Sequence, residues 1–281
     1  MPLPVSIVRI KKKWKAKAVG LLRKLDVIRT KLVSRSTIKT KKLPSGLRIE
    51  LDIAKRVQYI QWKKNIYEPH IFHFAKRILC AGDTAIDLGA HVGYWTLEFA
   101  AHVGAKGNVI AVEPAPDNYR QLLRNIELNS LKNVHAFQAG ISDRQGRAQL
   151  ILNLKNEGGH WIGEQLATGE QSVDIDITTL DALVEKTRIG SCKLIKIDTE
   201  GHEIHVLQGM TTVLSSDALR PQHLIIEVSL QQPARRREVS EILGKYGYIH
   251  YPLRYPLSDT SLPVTEGGYD MYFRHKSVLT T

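Results

Sequence analysis

Short apolar runs alternate with amphipathic segments along this chain, a pattern typical of strands that alternate with helices. The clearest run, Ala85–Leu88, is followed by a glycine-containing turn and by the helical segment YWTLEFAAHV at 94–103. A second run, Asn108–Val112, precedes an apolar-periodic helix predicted over Asp117–Asn129. Strand, glycine turn and helix in this order predict the first unit of a parallel nucleotide-binding sheet, and therefore an α/β fold.

The turn after the first strand carries candidate cofactor-binding residues. Gly89 permits a tight turn, Gly93 lets the helix pack close to the strand, and the carboxylate of Asp87 can reach a ligand. Ala90 and His91 lie between the two glycines. The turn lacks the full glycine set of a pyrophosphate-binding loop, so it favours S-adenosylmethionine over NAD. An ordinary βα turn is the alternative interpretation.

An acidic residue follows the second strand at the interval that a nucleoside site requires. Glu113 directly follows Asn108–Val112 and lies 20 residues after Gly93. A carboxylate about 20 positions beyond such a turn is placed to accept hydrogen bonds from ribose hydroxyls. Glu113 is therefore predicted to bind the cofactor together with the glycine turn.

The third predicted strand, Val134–Gly140, is followed by two polar residues, Ser142 and Asp143. Ligands of open parallel sheets bind outside the carboxyl ends of the strands, so both side chains are predicted to meet the adenine edge of the cofactor. The stretch 143–146, Asp-Arg-Gln-Gly, is also a good turn without any ligand.

A β excursion is predicted next, over residues 147–152 and 173–178. The glycine-rich loop between the two segments carries His160 and Trp161. Long loops of this kind are often lids or acceptor sites. Trp161 is expected either to stack on a ring of a ligand or to anchor the loop.

Acidic residues and a histidine cluster where the predicted strand Leu194–Asp198 ends. Grouping Asp198, Glu200, His202 and Glu203 is costly unless a ligand, a metal or a proton transfer uses them. A helix N-terminus favours acidic residues, so Glu200 and Glu203 can be explained as residues that cap the following helix. This explanation fits Asp198 less well.

Glu68 is a further candidate for the cofactor pocket. It stands in Tyr-Glu-Pro at 67–69, directly before a helix predicted over His70–Leu79. Pro69 suits the first helical turn, and Glu68 serves either the helix N-terminus or, with its carboxylate, the pocket.

Positive charge is concentrated at the N-terminus. Of the net charge of +12, residues 1–48 contribute 15 Lys and Arg against one acid, and the remainder holds 25 basic and 27 acidic residues. Because the body is nearly neutral, no nucleic-acid partner is expected. Within a predicted leader over residues 1–42, residues 9–33 have the pattern of a basic amphipathic helix that contacts an anionic membrane surface or a partner helix. A helix packed on its own domain is the alternative.

The remaining composition favours a cytoplasmic location, peripherally at the inner face of the membrane if the leader binds lipid. No stretch approaches about 18 apolar residues, the length of a transmembrane helix. Cys80 and Cys192 have no metal-type or redox-type spacing, and a reducing compartment suits both.

Taken together, these motifs resemble the FkbM family of S-adenosylmethionine-dependent methyltransferases, from about Leu43 to Lys276. The resemblance implies a methyltransferase domain over 43–281, built as a Rossmann-like, seven-stranded, mostly parallel sheet of order 3-2-1-4-5-7-6 with helices on both faces. It also implies O-methylation of a hydroxyl on a sugar, a glycan or another small molecule. Family members more usually carry Asn where His91 stands. The motifs are YEP at 67–69, IDLGAHVGYWTL at 86–97, VEPAPDNYRQLLRNIELN at 112–129 and KIDTEGHE at 196–203.

For this reaction Asp198 is predicted to lie nearest the transferred methyl group, with Glu200 or His202 as the second choice of base. No metal ligands are assigned, and an acidic cluster that binds a divalent cation remains the alternative. Two other classes stay open: a nucleic-acid methyltransferase and a non-catalytic interaction protein that keeps the fold. KIDTEG at 196–201 replaces the Asn/Asp-Pro-Pro-aromatic run expected for base-amine methylation, and intact Asp87, Glu113 and Asp198 weigh against a non-catalytic protein.

Overall fold

The computed structural model describes residues 37–154, 156–163, 171–251 and 270–279. The predicted helix over 9–33 lies outside these ranges. The described strands are β1 (Ile38–Lys42), β2 (Arg48–Asp52), β3 (Thr84–Leu88), β4 (Asn108–Val112), β5 (Val134–Phe137), β6 (Gly140–Ile141), β7 (Gly146–Leu152), β8 (Trp161–Ile162), β9 (Gln171–Thr178), β10 (Leu194–Ile197), β11 (His223–Glu227), β12 (Tyr248–Tyr251) and β13 (Asp270–His275). The described helices are α1 (Arg56–Lys63), α2 (Pro69–Ile78), α3 (Tyr94–Val103), α4 (Pro116–Leu128), α5 (Leu180–Thr187), α6 (Glu203–Gln208), α7 (Thr211–Ser215) and α8 (Pro233–Lys245), with a 3₁₀ turn at Lys276–Leu279.

Seven of the described strands form one sheet in the order β12-β13-β11-β10-β3-β4-β5. All neighbouring pairs are parallel except those made by β13, which runs antiparallel to both β11 and β12. Numbered by their own succession along the chain, these strands lie in the order 3-2-1-4-5-7-6, the order that the family resemblance implies. The chain reverses its direction of winding between β3 and β10, and their carboxyl ends are where ligands of such sheets bind.

Hydrophobic cores cover both faces of this sheet, because successive side chains of a strand point to opposite faces. Ile86 and Leu88 belong to a buried cluster built with residues of α5, α6, α7 and α8. Ala85, the residue before Ile86, points to the other face and belongs to a second cluster with residues of α2, α3 and the hairpin strand β2. Helices therefore lie on both faces, as predicted.

An N-terminal hairpin includes the last residues of the predicted leader. β1 pairs antiparallel with β2 through the register Ile38↔Asp52 to Lys42↔Arg48. The leader predicted over 1–42 thus includes a strand, Ile38–Lys42, that is paired with the domain. This strand, Ile-Lys-Thr-Lys-Lys, contains one apolar residue, so its sequence does not distinguish it from the basic segment before it.

The predicted β excursion is a separate sheet of order β6-β9-β7-β8. Its long antiparallel pair, β7 with β9, covers the two segments predicted over 147–152 and 173–178. The strand predicted over Val134–Gly140 ends earlier, at Phe137, and Gly140–Ile141 instead pairs with β9. A Cβ at Gly140 would lie 2.7 Å from Ile162 Cδ1, so the glycine permits this close sheet contact.

Within the ranges described, no helix is both long and apolar enough to cross a lipid bilayer.

Candidate cofactor and active site

The glycine turn after β3 is shaped by close backbone approach. Gly89 has φ +86°, and a Cβ there would lie 1.8 Å from the carbonyl oxygen of Asp198, at the end of the neighbouring strand β10. Gly93 has φ +94° and its missing side chain leaves room for Leu122 of α4, 2.7 Å from where a Cβ would stand. Only glycine satisfies both requirements, a left-handed backbone and no side chain. Gly89 therefore permits the close approach of this turn to the end of β10, and Gly93 permits the close packing of Leu122.

Glu113 is fixed beside this turn by backbone amides. Its Oε2 accepts a 2.8 Å hydrogen bond from the His91 N–H, and its Oε1 accepts one of 2.9 Å from the Ala115 N–H. Asn118 Nδ2 lies 3.4 Å from Oε1. Burial raises the pKa of Glu113 to about 7, although the hydrogen bonds from the two backbone amides lower it. The carboxyl group is therefore held in one orientation at the carboxyl end of β4.

A pocket of about 240 Å³ opens where β3, β4 and β10 end. One side is mainly apolar and is formed by residues that follow β4 and β5 together with the excursion sheet. The acidic side is formed by carboxyl groups that surround Lys196. The apolar residues are Val112, Pro114, Ala139, Ile141, Leu150 and Ile162, and the charged ones are Glu68, Asp87, Lys196, Asp198, Glu200 and Glu227.

Lys196 organises the acidic side. Its side chain is 3% exposed, and Nζ donates a 2.7 Å hydrogen bond to Asp198 Oδ2. Burial by itself lowers the pKa of Lys196, but Asp198, Glu68, Asp87 and Glu227 together raise it, so the ammonium form is stabilised. A buried lysine amid carboxylates keeps several acids in one small space that would otherwise repel one another.

Two glutamates beside this lysine share the acidic space. The negative charge of Asp198, followed by burial, raises the pKa of Glu227 to about 10. Burial raises the pKa of Glu68 against the lowering by Lys196, and Trp95 Nε1 donates a 2.8 Å hydrogen bond to Glu68 Oε2. The raised pKa favours the protonated form of Glu227, which can donate a hydrogen bond.

Several polar atoms that line this pocket lack a partner. Both ring nitrogens of His91, Asp87 Oδ1, Gln61 Oε1 and Asn156 Oδ1 are buried without a hydrogen bond to any described residue. Burial, and then Lys55, lowers the pKa of His91 to about 3, so its ring is neutral. Buried polar groups are normally satisfied, and unsatisfied ones gathered around one cavity indicate a polar ligand there.

Most of the predicted site residues meet at this pocket. They are Glu68, Asp87, Gly89, Ala90, His91, Glu113, Asp198 and Glu200. Glu68 precedes α2, but its side chain makes no capping hydrogen bond, and the carboxylate lies in the pocket. Glu200 is exposed at the rim, with a left-handed backbone of φ 47°.

Three predicted residues lie elsewhere. His202 Nε2 lies 2.9 Å from Ser142 Oγ, which in turn donates to Asp143 Oδ1 at 3.0 Å, and the His202 ring stacks on His205. Ser142 and His202 line a separate depression beside Arg144. The prediction that Ser142 and Asp143 contact the adenine edge is not supported, because the chain turns away after β6 and leaves Ala139, Gly140 and Ile141 at the pocket. His202, a predicted candidate base, does not line this pocket either, and its ring lies beside Ser142.

Sequence reasoning missed several pocket residues. Lys196 could have been found from the sequence, because it is a lysine inside an otherwise apolar strand. Glu227 could also have been found, because it is an acidic residue at the end of an apolar strand, much like Asp198 directly after β10. Gln61 of α1 and Asn118 of α4 gave no signal, because only tertiary packing brings their helices to the pocket. No group of three or more His, Cys, Asp or Glu in the described ranges is arranged to hold a metal ion.

The fold and the pocket define an open α/β protein with a candidate ligand site at the switch point of the sheet. The model of the methyltransferase FkbM domain matches residues 87–249, more than half of the chain, so this protein belongs to the FkbM methyltransferase family.

Individual relatives match this chain at low sequence identity and over part of its length. The chain is 30% identical over 135 residues to the hexuronic acid methyltransferase AglP of Haloferax volcanii, covering 48% of this chain and 52% of AglP. It is 27% identical over 143 residues to Methyltransferase 1 of Beauveria bassiana, covering 44% and 57% respectively. The solved structure of methyltransferase FkbM from Methylobacillus flagellatus aligns with 15% identity and a TM-score of 0.45, over 74% of this chain and 50% of that one. The chain spans about half the length of the curated relatives it matches.

Proposed function

We propose that this protein is an S-adenosylmethionine-dependent O-methyltransferase that acts on a hydroxyl of a sugar, a glycan or another small molecule. The observation that carries the proposal is the pocket itself, in which an amide-held Glu113, the glycine turn and unpaired polar atoms surround one space in an FkbM-family domain.

The residues present fit the cofactor part by part. Val112, Ile141 and Leu150 offer apolar contact to an adenine ring, and Glu113 offers its carboxyl oxygens to ribose hydroxyls. The unpaired atoms of Asp87 and His91 suit the amino and carboxylate groups of the methionine part. Bound S-adenosylmethionine would supply a methyl group activated by its sulfonium charge.

The acidic side of the pocket suits the acceptor. A sugar hydroxyl is weakly acidic, so a base must take its proton as the oxygen attacks. Lys196 holds Oδ2 of Asp198 at 2.7 Å, which orients the carboxylate toward the pocket and supports Asp198 as that base. Glu200 at the rim and Glu227 beside Lys196 are placed to hydrogen-bond further hydroxyls of a polyol.

The acceptor class also draws support from a relative and from charge. AglP is named for methylation of a hexuronic acid, a sugar derivative. Outside residues 1–48 the chain is close to neutral, which disfavours a nucleic-acid acceptor. We assign the basic segment over 9–33 to contact with an anionic membrane, which would keep the enzyme cytoplasmic and at the inner face.

Methyl transfer from radiolabelled S-adenosylmethionine tests this function. A panel of sugars, glycosides and uronates should include a labelled product, whereas tRNA and oligonucleotides should stay unlabelled. Label in nucleic acid alone would replace the proposal by a nucleic-acid methyltransferase. Cofactor binding with no product from any class would favour a non-catalytic interaction protein.

A further inference from the structure

Helix α1 receives its N-terminal cap from a distant part of the chain. The first backbone N–H groups of a helix have no partner within it. In α1 the Lys55 side chain makes no cap, and the first turn contains no acidic residue. Glu157 supplies what is missing: its Oε2 accepts from the Arg56 N–H at 3.1 Å, and its Oε1 accepts from the N–H groups of Val57 and Gln58 at 2.7 and 3.2 Å.

Glu157 and α1 both border the cofactor pocket. Val57 and Gln61 of α1 line the cofactor pocket, and so do Asn156, Glu157 and Gly158 of the turn between β7 and β8. A Cβ at Gly158 would lie 3.0 Å from Val57 Cγ2, so the turn is seated directly on the helix. The carboxylate therefore joins two segments that together border the pocket.

The junction is also linked to the predicted ribose-binding carboxylate. Asn118 Nδ2 lies 3.1 Å from the Glu157 carbonyl oxygen and 3.4 Å from Glu113 Oε1. One side-chain amide thus connects the turn that carries Glu157 with the group expected to hold the cofactor. A ligand that hydrogen-bonds Glu113 would thus be connected, through Asn118, to this turn.

From these contacts we propose that Glu157 is a positioning residue that fastens the β7–β8 turn to the start of α1 and thereby retains the bound cofactor. Its junction must open for S-adenosylhomocysteine, the demethylated product, to leave. The strength of the cap then sets the rate of product release. This inference rests on the proposed methyltransferase function.

The test compares Glu157→Ala and Glu157→Gln with the wild type. The matched control is Glu185→Ala, at an exposed position of α5. Stopped-flow displacement gives the dissociation rate of S-adenosylhomocysteine, calorimetry gives its Kd, and hydrogen exchange reports the amides of residues 56–58. Loss of a cap typically weakens a helix start enough to change an opening equilibrium about 5- to 30-fold.

We expect Glu157→Ala to speed dissociation about 5- to 30-fold and to abolish the protection that the ligand gives these amides. Glu157→Gln, which keeps one accepting oxygen, should fall between it and the wild type, and it decides the matter if the Ala variant does not fold. The control should match the wild type. Faster amide exchange with an unchanged dissociation rate would mean that the cap is only structural and would overturn the inference. A folded wild type that binds no S-adenosylhomocysteine would instead overturn the proposed function.

Discussion

The His91 N–H donates a 2.8 Å hydrogen bond to Glu113 Oε2, which joins the glycine turn after β3 to the acidic residue after β4. His91 has a left-handed backbone, φ 51°, at the position of this hydrogen bond. The two halves of the nucleoside motif are therefore locked together by the protein itself, and the cofactor would meet a formed site.

Glu113 should make stability depend on pH. Its pKa rises from an ordinary 4.5 to about 7 in the folded protein, so its contribution to stability is complete below pH 4.5 and is lost as the pH rises through 7. Relative to Glu113→Gln, the free energy of unfolding of the wild type should fall by up to about 3 kcal/mol between pH 4.5 and 7. Urea denaturation of both proteins across this range measures the difference. A difference that does not change with pH would contradict the burial of a titrating Glu113.

Gly89→Ala should damage the fold far more than the matched change Gly82→Ala. Both glycines have a left-handed backbone, φ +86° and +97°, but a Cβ at Gly82 meets nothing within 4 Å whereas one at Gly89 lies 1.8 Å from Asp198 O. We expect Gly82→Ala to cost about 1–2 kcal/mol and Gly89→Ala more than about 4 kcal/mol, or to prevent folding. Thermal and urea unfolding measure both. Equal losses would show that β3 and β10 do not approach as closely as described.

Asp198→Asn should retain S-adenosylhomocysteine binding and lose turnover by at least about 100-fold, because the acceptor proton has no base. The control is His202→Gln, which should keep near wild-type turnover since His202 faces the depression that contains Ser142. Both rates are measured as radiolabelled methyl transfer to the acceptor that the sugar panel identifies. Full activity of Asp198→Asn, or equal losses in both variants, would remove Asp198 from the mechanism.

Truncation should separate the basic leader from the fold. Removing residues 1–36 leaves β1 intact, whereas removing 1–42 deletes the strand that pairs with β2. Both truncations should lose co-sedimentation with anionic vesicles, because they remove 11 and 14, respectively, of the 15 Lys and Arg residues in the first 48 positions. Only the longer one should lower the free energy of unfolding, by roughly 1–3 kcal/mol. Vesicle binding that survives both truncations would assign the membrane contact elsewhere.

The part of the site that sequence could predict is the part held in contiguous motifs. Asp87 lies in a predicted strand, Gly89 lies in the turn after it, and Glu113 lies 20 residues beyond Gly93. All three signals are local in the sequence. The strand order of the sheet was predicted from the resemblance to the FkbM family, because hydrophobic periodicity alone does not give strand order.

The remainder depends on contacts between distant segments. Glu157 reaches α1 across about 100 positions, and no pattern in either segment indicates that pairing. Ser142 was misplaced because the sequence does not show that the chain joins a second sheet at Gly140–Ile141 and turns outward after it. Lys196 was overlooked because a buried charge is rare, and the four acidic side chains that stabilise it come together through tertiary packing.

The most direct test of the whole account is a calorimetric titration of S-adenosylhomocysteine into the wild type and Glu113→Ala, with Glu127→Ala, an exposed glutamate of α4, as the control. The wild type and the control should bind alike, and Glu113→Ala should lose on the order of 2–4 kcal/mol of binding free energy because two ribose hydroxyls lose their acceptor. Thermal unfolding establishes that the variant is folded. A folded wild type that binds nothing, or a Glu113→Ala variant that binds equally well, would contradict the cofactor site described above.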